Sequence, residues 1–332
     1  MIKLFKHLID NIYINIAGVS AIVLSPVADA IGGNAFWYLF IVLFLLFIFG
    51  IYDERKKNKI MHADFIHIPL VVKVEDGPDI DYVMNNLVSR IEENTNLSGY
   101  EEILKKYHSI NIDTLIFEYK GSIYNFDQLL SFMRILKYKI NQIEKQLNGK
   151  VKFHIAYYKR PSVGFLLGTI FRTESVVVYQ NNDFENRFYP VANVDSREYK
   201  ERVDIFDKYE VLYDTATIEE KSVLLAIESS SHNLAIESSS LSEYKNIVKV
   251  KLKENGTIPY NVNWVKYSAE IYNIINQLQT KYSKIVIAHA MPESISFLLG
   301  MALENYWDID ITQYKNNDYI HMYNMKEIVY YD

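Results

Sequence analysis

Two segments of this chain repeat each other, and the repeat restricts the folds that the chain can adopt. Pro161 precedes the run Phe165-Leu166-Leu167-Gly168, and Pro292 precedes the run Phe297-Leu298-Leu299-Gly300. Downstream, YQNNDF begins at Tyr179 and YKNNDY begins at Tyr314. Two local matches in the same order, at nearly the same offset, indicate an internal duplication.

Strand and helix patterns alternate from residue 62 onward. Apolar runs predict strands at 65–74, 114–119, 151–157, 176–179, 223–227, 247–252, 285–288 and 309–311. Amphipathic spacing predicts helices at 80–93, 126–147 and 264–282. This alternation is typical of an α/β fold with mostly parallel sheets. We therefore expect one domain over 61–332, made of two tandem Rossmann-like halves at about 61–200 and 215–332.

The N-terminal segment 1–60 has a membrane-like pattern. Residues 34–52 carry no charge, and a helix of that length approaches the ~30 Å thickness of the hydrocarbon core. A weaker apolar stretch covers 10–31, and Gly32 and Gly33 give a turn signal between the two. The sequence thus predicts a two-helix transmembrane hairpin. Basic residues lie before the first helix and after the second, so both termini are expected on the cytoplasmic side.

The first predicted helix carries polar or small residues on one stripe. They are Asn11, Asn15, Gly18, Ser25 and Asp29. Such residues can pack one helix against another through small side chains and hydrogen bonds. They can also line a pore when several copies assemble. The sequence leaves both interpretations open.

Composition excludes several classes of function. The 332 residues have a formal charge of −6, which disfavours binding of long nucleic acid. They include no cysteine, which excludes disulfides, thiolate nucleophiles and cysteine-ligated zinc. His62 and His67 would point to opposite faces of a strand, so a shared metal ion is not expected. No Gly-rich phosphate loop and no nucleophile elbow is present. We expect no enzyme, no metal and no cofactor.

The duplication predicts where a ligand binds. In open parallel α/β sheets, ligands bind beyond the carboxyl ends of the strands. Two like halves packed together would join their strand ends in one composite cleft, lined by the loops 157–162 and 289–294. The candidate ligand contacts there are Tyr157, Tyr158, Lys159, Arg160, Ser162, Tyr179, His289, Met291, Pro292, Glu293, Ser294 and Tyr314.

Each candidate also has a structural interpretation. Lys159 and Arg160 stand before a helix, where cations would bind phosphate, or they are solvated surface charges. The tyrosines offer faces to nucleobases or fill the core. Ser294 more simply caps the helix that follows it. His289 contacts ligand or is a satisfied histidine at a strand end.

A shorter repeat follows the strand predicted at 223–227. The run AIESSS occurs at 226–231 and again at 235–240. Glu228, Ser229 and Ser230 fall at the predicted binding edge, where the hydroxyl groups could donate to phosphate. The alternative is a polar low-complexity loop.

The segment from Lys284 to Pro292 (KIVIAHAMP), followed by FLLG and a strand that ends at Gln313 and Tyr314, resembles the C-terminal part of SAVED domains. These are sensor domains of CBASS anti-phage signalling and of some CRISPR systems. The resemblance implies two fused CARF-like halves that bind a cyclic oligonucleotide. With two transmembrane helices, the chain resembles transmembrane SAVED effectors.

For such an effector the resemblance implies a cyclic di- or trinucleotide signal made by a partner nucleotidyltransferase. It also implies a homo-oligomer on activation, and disruption or permeabilisation of the bacterial inner membrane. A membrane-tethered hydrolase that degrades the signal, using His289 or Glu228 for acid–base chemistry, is the alternative. A tether that recruits a protein partner is the third possibility.

Overall fold

The computed structural model describes residues 14–18, 33–61, 63–75, 79–182, 184–185, 187–195, 200, 202–215, 221–237, 239–254 and 256–330. The chain divides into two compact units, Met1–Ile66 and His67–Asp332. The predicted domain limits, 1–60 and 61–332 with halves at about 61–200 and 215–332, stay a prediction.

The first unit contains a long helix, α1 (Gly33–Met61). Large apolar side chains are exposed along it, among them Trp37, Phe44 and Tyr52. The part of the chain that the structure describes contains no helix with the length and apolar character needed to cross a bilayer. The structure therefore does not support the predicted transmembrane hairpin.

The predicted polar stripe falls mostly outside the described residues. Asn11, Ser25 and Asp29 lie there, so their predicted role is untested. Asn15 and Gly18 belong to the helical stretch 14–18, and both are exposed.

The second unit begins with a five-stranded sheet. Its strands are β1 (Ile66–Val74), β2 (Ile116–Tyr119), β3 (Val151–Tyr158), β4 (Ser175–Asn182) and β5 (Arg187–Val194), in the order β2-β1-β3-β4-β5. The β1/β2 and β3/β4 pairs are parallel, and β5 is antiparallel to β4. Between the strands lie α2 (Ile80–Thr95), α3 (Tyr100–His108), α4 (Phe126–Gln146) and α5 (Pro161–Ile170).

A six-stranded sheet follows. Its strands are β6 (Tyr209–Thr215), β7 (Ser222–Glu228), β8 (Asn246–Leu252), β9 (Lys284–Ala290), β10 (Ile309–Lys315) and β11 (Asp318–Asn324), in the order β11-β10-β9-β7-β8-β6. The β8-β7-β9-β10 core is parallel, whereas β11 and β6 run antiparallel to their neighbours. The helices α6 (Val265–Gln279) and α7 (Glu293–Ala302) precede and follow β9.

The two sheets repeat one topology. When the additional edge strand β6 is left out and the second half is numbered from β7, each sheet runs 2-1-3-4-5, with the fifth strand antiparallel to the fourth. A helix lies before and after the third strand in both halves. The expected α/β fold is confirmed, although both sheets are mixed rather than mostly parallel. The sequence analysis missed the antiparallel strands β5, β6 and β11 because their apolar residues are few or interrupted by charge.

The two halves meet where α5 crosses α7. A Cβ atom added at Gly168 would lie 2.0 Å from the carbonyl oxygen of Phe297, and one added at Gly300 would lie 2.0 Å from that of Phe165. The contact is reciprocal, so the crossing has approximate two-fold symmetry. The repeated FLLG run is therefore explained by packing, because only glycine permits this approach of two backbones.

We expect Gly300→Ala to lower the free energy of unfolding by about 2–3 kcal/mol, since the new methyl group meets backbone that cannot rotate away. Gly164→Ala is the matched control on α5, because its methyl group would chiefly meet the rotatable Oγ of Ser296. The gain in helix propensity, about 1 kcal/mol, should offset part of that strain. Urea denaturation measures both variants, and equal losses would contradict the proposed close crossing.

Candidate functional site

A cavity of about 570 Å³ lies where the strand ends of the second sheet meet the fourth strand of the first. Its volume is in the range of small-molecule sites. Both halves contribute to its lining, which consists of Pro161, Gln180, Asn181, Phe184, Ser230, Ser231, His232, Thr257, Ile258, Tyr260, Trp264, His289, Ala290, Met291, Pro292, Glu293 and Gln313. We call it the composite cleft.

Two glutamines hold the walls of the composite cleft together. Gln180 on β4 donates to the Glu293 carboxylate at 2.7 Å and accepts from the backbone N–H of Ser294 at 3.2 Å. Gln313 on β10 accepts from the Ser162 hydroxyl at 2.7 Å. Each amide thus crosses from one half to the first turn of the other half's helix, α7 or α5. These contacts fix the helix N-termini at the cleft.

The two hairpins complete the arrangement. The β4–β5 hairpin is pinned to the start of α6, where Tyr260 donates to the Asn181 carbonyl at 3.3 Å and Trp264 N–H donates to the Val191 carbonyl at 3.0 Å. In the other half, Lys315 of the β10–β11 hairpin lies 3.7 Å from the ring centroid of Tyr124, just before α4. Each hairpin therefore reaches over the strand ends of the other half.

His289 is the least satisfied polar side chain in the cleft. It is 6% exposed, and neither ring nitrogen makes a hydrogen bond of normal geometry with a described residue. Burial lowers its pKa to about 4, against a small opposing effect of the Thr312 backbone, so the ring is neutral near pH 7. A neutral imidazole offers one donor and one acceptor. Because buried polar groups are normally paired, this ring points to a ligand that supplies the partners.

A second cavity, of about 760 Å³, adjoins the first at Arg160–Pro161. It lies at the strand ends of the first sheet and is lined by Glu75, Glu118, Tyr119, Lys120, Gly121, Lys159 and Arg160. Glu75, Lys159 and Arg160 all have positive φ angles, of 64°, 70° and 58°. Such conformations are costly for residues other than glycine and tend to cluster at functional sites. Arg160 Nε also pairs with the Glu75 carboxylate at 2.9 Å.

Two predicted stacking residues lie inside the protein. Tyr157 is 4% exposed and donates to the Arg160 carbonyl, and Tyr179 is 1% exposed with its hydroxyl 2.8 Å from His154 Nδ1. Neither ring presents a face to the cleft, because strand residues alternate between the two faces of a sheet and these two pack within it. Tyr158 is half-buried beside Lys159, and Tyr314 is 40% exposed.

The structure aligns the second pair of repeated segments, at 179–184 and 314–319, differently from the sequence match. The sequence match paired Tyr179 with Tyr314. In the structure a β-bulge follows Val178 on β4 and Ile311 on β10, which makes Gln180 the counterpart of Gln313. The match was therefore displaced by two residues, because similar polar letters in the two turns do not occupy equivalent positions.

The serine-rich loop lines one side of the cleft and also covers the core. Ser230 and Ser231 line the cleft, whereas Ser229 is fully buried and donates to the Tyr209 hydroxyl at 2.7 Å. The Glu228 carboxylate accepts from the backbone N–H of Leu234 at 2.9 Å. Further along, Ile236 packs against the second sheet. The first serine run thus reaches the cleft, and the second is structural.

Of the remaining predicted residues, Met291, Pro292 and Glu293 line the composite cleft, and Ser162 and Ser294 lie beneath it. The sequence analysis missed Gln180, Gln313, Tyr260 and Trp264. Trp264 begins the predicted helix 264–282 and was counted with its core face, and Tyr260 lies in the loop before that helix. Glutamine carries no motif by itself. Within the described ranges no group of histidine and carboxylate side chains has the arrangement of a metal site.

The lowered pKa of His289 predicts a pH dependence of stability. The unfolded chain takes up a proton near pH 6.5, whereas the folded protein does so only near pH 4. The contribution of the neutral His289 ring to the free energy of unfolding is therefore present in full above about pH 6.5. It decreases as the pH falls towards 4. We therefore expect His289→Gln to lose less free energy of unfolding between pH 7 and pH 4.5 than the wild type does. The exposed His232→Gln is the control, and parallel curves for His289→Gln and the wild type would contradict burial of a neutral ring.

The chain is similar to one protein family and to solved structures of receptors. The SAVED family, described as "SMODS-associated and fused to various effectors sensor domain", matches residues 136–325. Two similar solved structures are those of the Acinetobacter baumannii Cap4 SAVED/CARF-domain containing receptor, with the cyclic trinucleotide 2′3′3′-cAAA and with 3′3′3′-cAAA. In each comparison the TM-score is 0.50 and the sequence identity 11%, with 85% of this chain and 56% of that chain covered.

At this identity the Cap4 structures show a shared fold, and the chain spans little more than half of their length. No curated protein sequence matches the chain. The family match covers more than half of the 332 residues and includes the elements that build the composite cleft. The chain belongs to the SAVED family of sensor domains.

Proposed function

We propose that this protein is a receptor that binds a cyclic oligonucleotide in the composite cleft. The observation that carries the proposal is His289, a buried, neutral and unsatisfied imidazole in a cavity that both halves line. A cavity lined only by apolar groups would accept many different ligands. A buried donor and acceptor together favour a guest with a complementary polar edge, such as a nucleobase.

The surroundings of His289 suit a nucleotide. Tyr260 is half-buried at the cleft and backed by the buried Trp264, with ring centroids 6.1 Å apart, and Phe184 is fully exposed at the cleft mouth. Aromatic faces stabilise bases by stacking. The helices α5 and α7 begin at the cleft, and helix N-termini favour negative charge. The composite cleft therefore suits bases, and the start of α5 at its border, next to Arg160, suits a phosphate.

Membership of the SAVED family supports the proposed binding of a cyclic oligonucleotide. The SAVED family is described as a sensor domain fused to various effectors. The Cap4 receptors of similar fold hold cyclic trinucleotides of adenine. By extension, the signal for this chain is a cyclic di- or trinucleotide made by a partner nucleotidyltransferase in a CBASS-type response.

The effector in this proposal is the N-terminal segment. The exposed apolar side chains of α1 form a surface of the kind that contacts membranes or other proteins. After Asp53 and Glu54 come Arg55, Lys56, Lys57 and Lys59, and basic flanks suit an anionic leaflet. We propose that ligand binding favours a homo-oligomer in which these segments gather and disrupt or permeabilise the bacterial inner membrane. The ligand must bind the assembled state more tightly than the free state for this to occur.

This role requires no catalysis by the chain itself. Among the alternatives, a hydrolase would use His289 or Glu228. Glu228 is engaged with backbone at 2.9 Å, which suits a structural role. Incubation with radiolabelled cyclic nucleotides distinguishes the two, because a receptor returns the intact ring and a hydrolase yields linear products.

Ligand binding should raise the melting temperature. At a ligand concentration about 100 times Kd the gain is about 2.7 kcal/mol, which corresponds to a shift of roughly 5–10 °C. A thermal-shift screen of cyclic di- and trinucleotides of adenine and guanine measures it. His289→Leu should reduce the shift without abolishing it, whereas His108→Gln, on α3 outside the cleft lining, should keep the full shift. No shift with any ring would contradict the proposed function.

The membrane role has its own test. Liposomes filled with a fluorescent dye should leak when the protein and its ligand are added together. Replacing Asn15 and Ser25 by leucine should abolish leakage but leave the thermal shift intact, since both residues belong to the polar stripe of segment 1–60. If the double variant leaks like the wild type, the stripe does not form a pore.

A further inference from the structure

The two halves repeat one topology, but their strand ends differ in chemistry. Counting back from the equivalent FLLG runs, Lys159 corresponds to Met291, and Arg160, the N-cap of α5, corresponds to Pro292, the N-cap of α7. Two cations in the first half are thus replaced by two apolar residues in the second. The two halves thus place equivalent strand-end positions beside the cavities, but the side chains at those positions differ.

The first-half edge suits phosphate. Its cavity is lined by three cations and two carboxylates. Arg160 uses Nε for Glu75, which leaves its terminal N–H groups to donate elsewhere. Lys159 lies 5.9 Å from the Tyr158 ring, and its side chain is half-buried at the cavity wall. Guanidinium and ammonium groups held beside a helix N-terminus are the usual ligands of a phosphodiester.

The second-half edge does not suit phosphate. Neither lysine nor arginine occurs among the described residues that line the composite cleft, and Glu293 is its one carboxylate. A phosphate placed there would meet a like charge and no counter-charge. The same wall offers His289, Met291 and the Tyr260 ring, which together match an uncharged aromatic edge.

We propose that the two halves divide the recognition of the ligand: Lys159 and Arg160 bind a phosphodiester at the first-half edge, and His289 reads a base at the second-half edge. The inference rests on the proposed function and assigns parts of the ligand to parts of the site. It follows that the ligand binds in one orientation, although the fold that holds it is pseudo-symmetric. Backbone charge and base identity are then read by separate residues.

The test uses the cyclic ring that gives the largest thermal shift in the adenine and guanine panel. Isothermal titration calorimetry of the full-length protein at 50–300 mM NaCl gives the slope of log Kd against log salt. Each phosphate contact contributes about 0.7 to that slope for a single strand. Lys159→Gln should lower the slope by about that amount, and Met291→Gln, at the equivalent position in the second half, should leave it unchanged.

Base reading is measured by comparing that ring with one that differs in a single base. His289→Leu should reduce the ratio of the two Kd values by roughly tenfold, because a matched polar pair to a base is lost. His289→Gln retains a donor and an acceptor and should retain more of the ratio. Both His289 variants should keep the wild-type salt slope, and Lys159→Gln should keep the wild-type ratio.

The outcomes separate this inference from the proposed function. If no ring binds, the proposed function fails and the division of recognition fails with it. If rings bind but His289→Leu changes the salt slope, or Lys159→Gln changes base discrimination, the protein is a receptor and the division is wrong. If each variant alters only its own readout, the division stands. Circular dichroism melts of the unliganded variants exclude misfolding as the cause.

Discussion

The contact on which the rest of the second unit depends is the crossing of α5 and α7. At Gly168 and Gly300 each helix backbone lies against a carbonyl group of the other, at a distance that excludes any side chain. This approach brings the N-termini of both helices, and with them the strand ends of both sheets, to one region. A wider crossing would separate Gln180 from Ser294 and Gln313 from Ser162, and the composite cleft would lose the hydrogen bonds that fix its walls.

Pseudo-symmetry and divergence serve different purposes in this molecule. The repeated features are mechanical: the 2-1-3-4-5 strand order, the glycine crossing, the two glutamines, and the two hairpins that each reach over the other half. The features that differ are chemical. Lys159 and Arg160 correspond to Met291 and Pro292, and the unsatisfied His289 stands where the first half has Tyr157. The two halves therefore share their topology and packing, whereas their strand-end edges differ in charge and polarity.

Much of this frame could be predicted from the sequence. The apolar runs and helical spacing placed the parallel strands and the amphipathic helices within a few residues, because burial on both faces leaves a strong pattern. The Pro and FLLG repeats predicted the duplication. The edge strands β5, β6 and β11 could not be found in this way, since an edge strand with one solvated face carries a weaker and interrupted pattern. The transmembrane hairpin, inferred from hydropathy, is not supported by the described structure.

The candidate site was only partly predictable. Strand-end position correctly placed His289, Met291, Pro292 and Glu293 at the cleft, because the carboxyl ends of parallel strands share one edge. It could not distinguish Tyr179, which turns inward to His154, from a tyrosine that faces the cleft. Gln180 and Gln313 depend on a β-bulge in each half, and a bulge leaves no reliable trace in one sequence.

The central claim is that one ligand lies between the two halves. Photo-crosslinking of the protein with an azido-adenine cyclic oligonucleotide, followed by peptide mapping, tests this most directly. The account predicts adducts on the 289–294 segment of the second half and on the 180–184 segment of the first, both suppressed by excess unlabelled ring. Adducts confined to one half, or on surfaces away from α5 and α7, would contradict it.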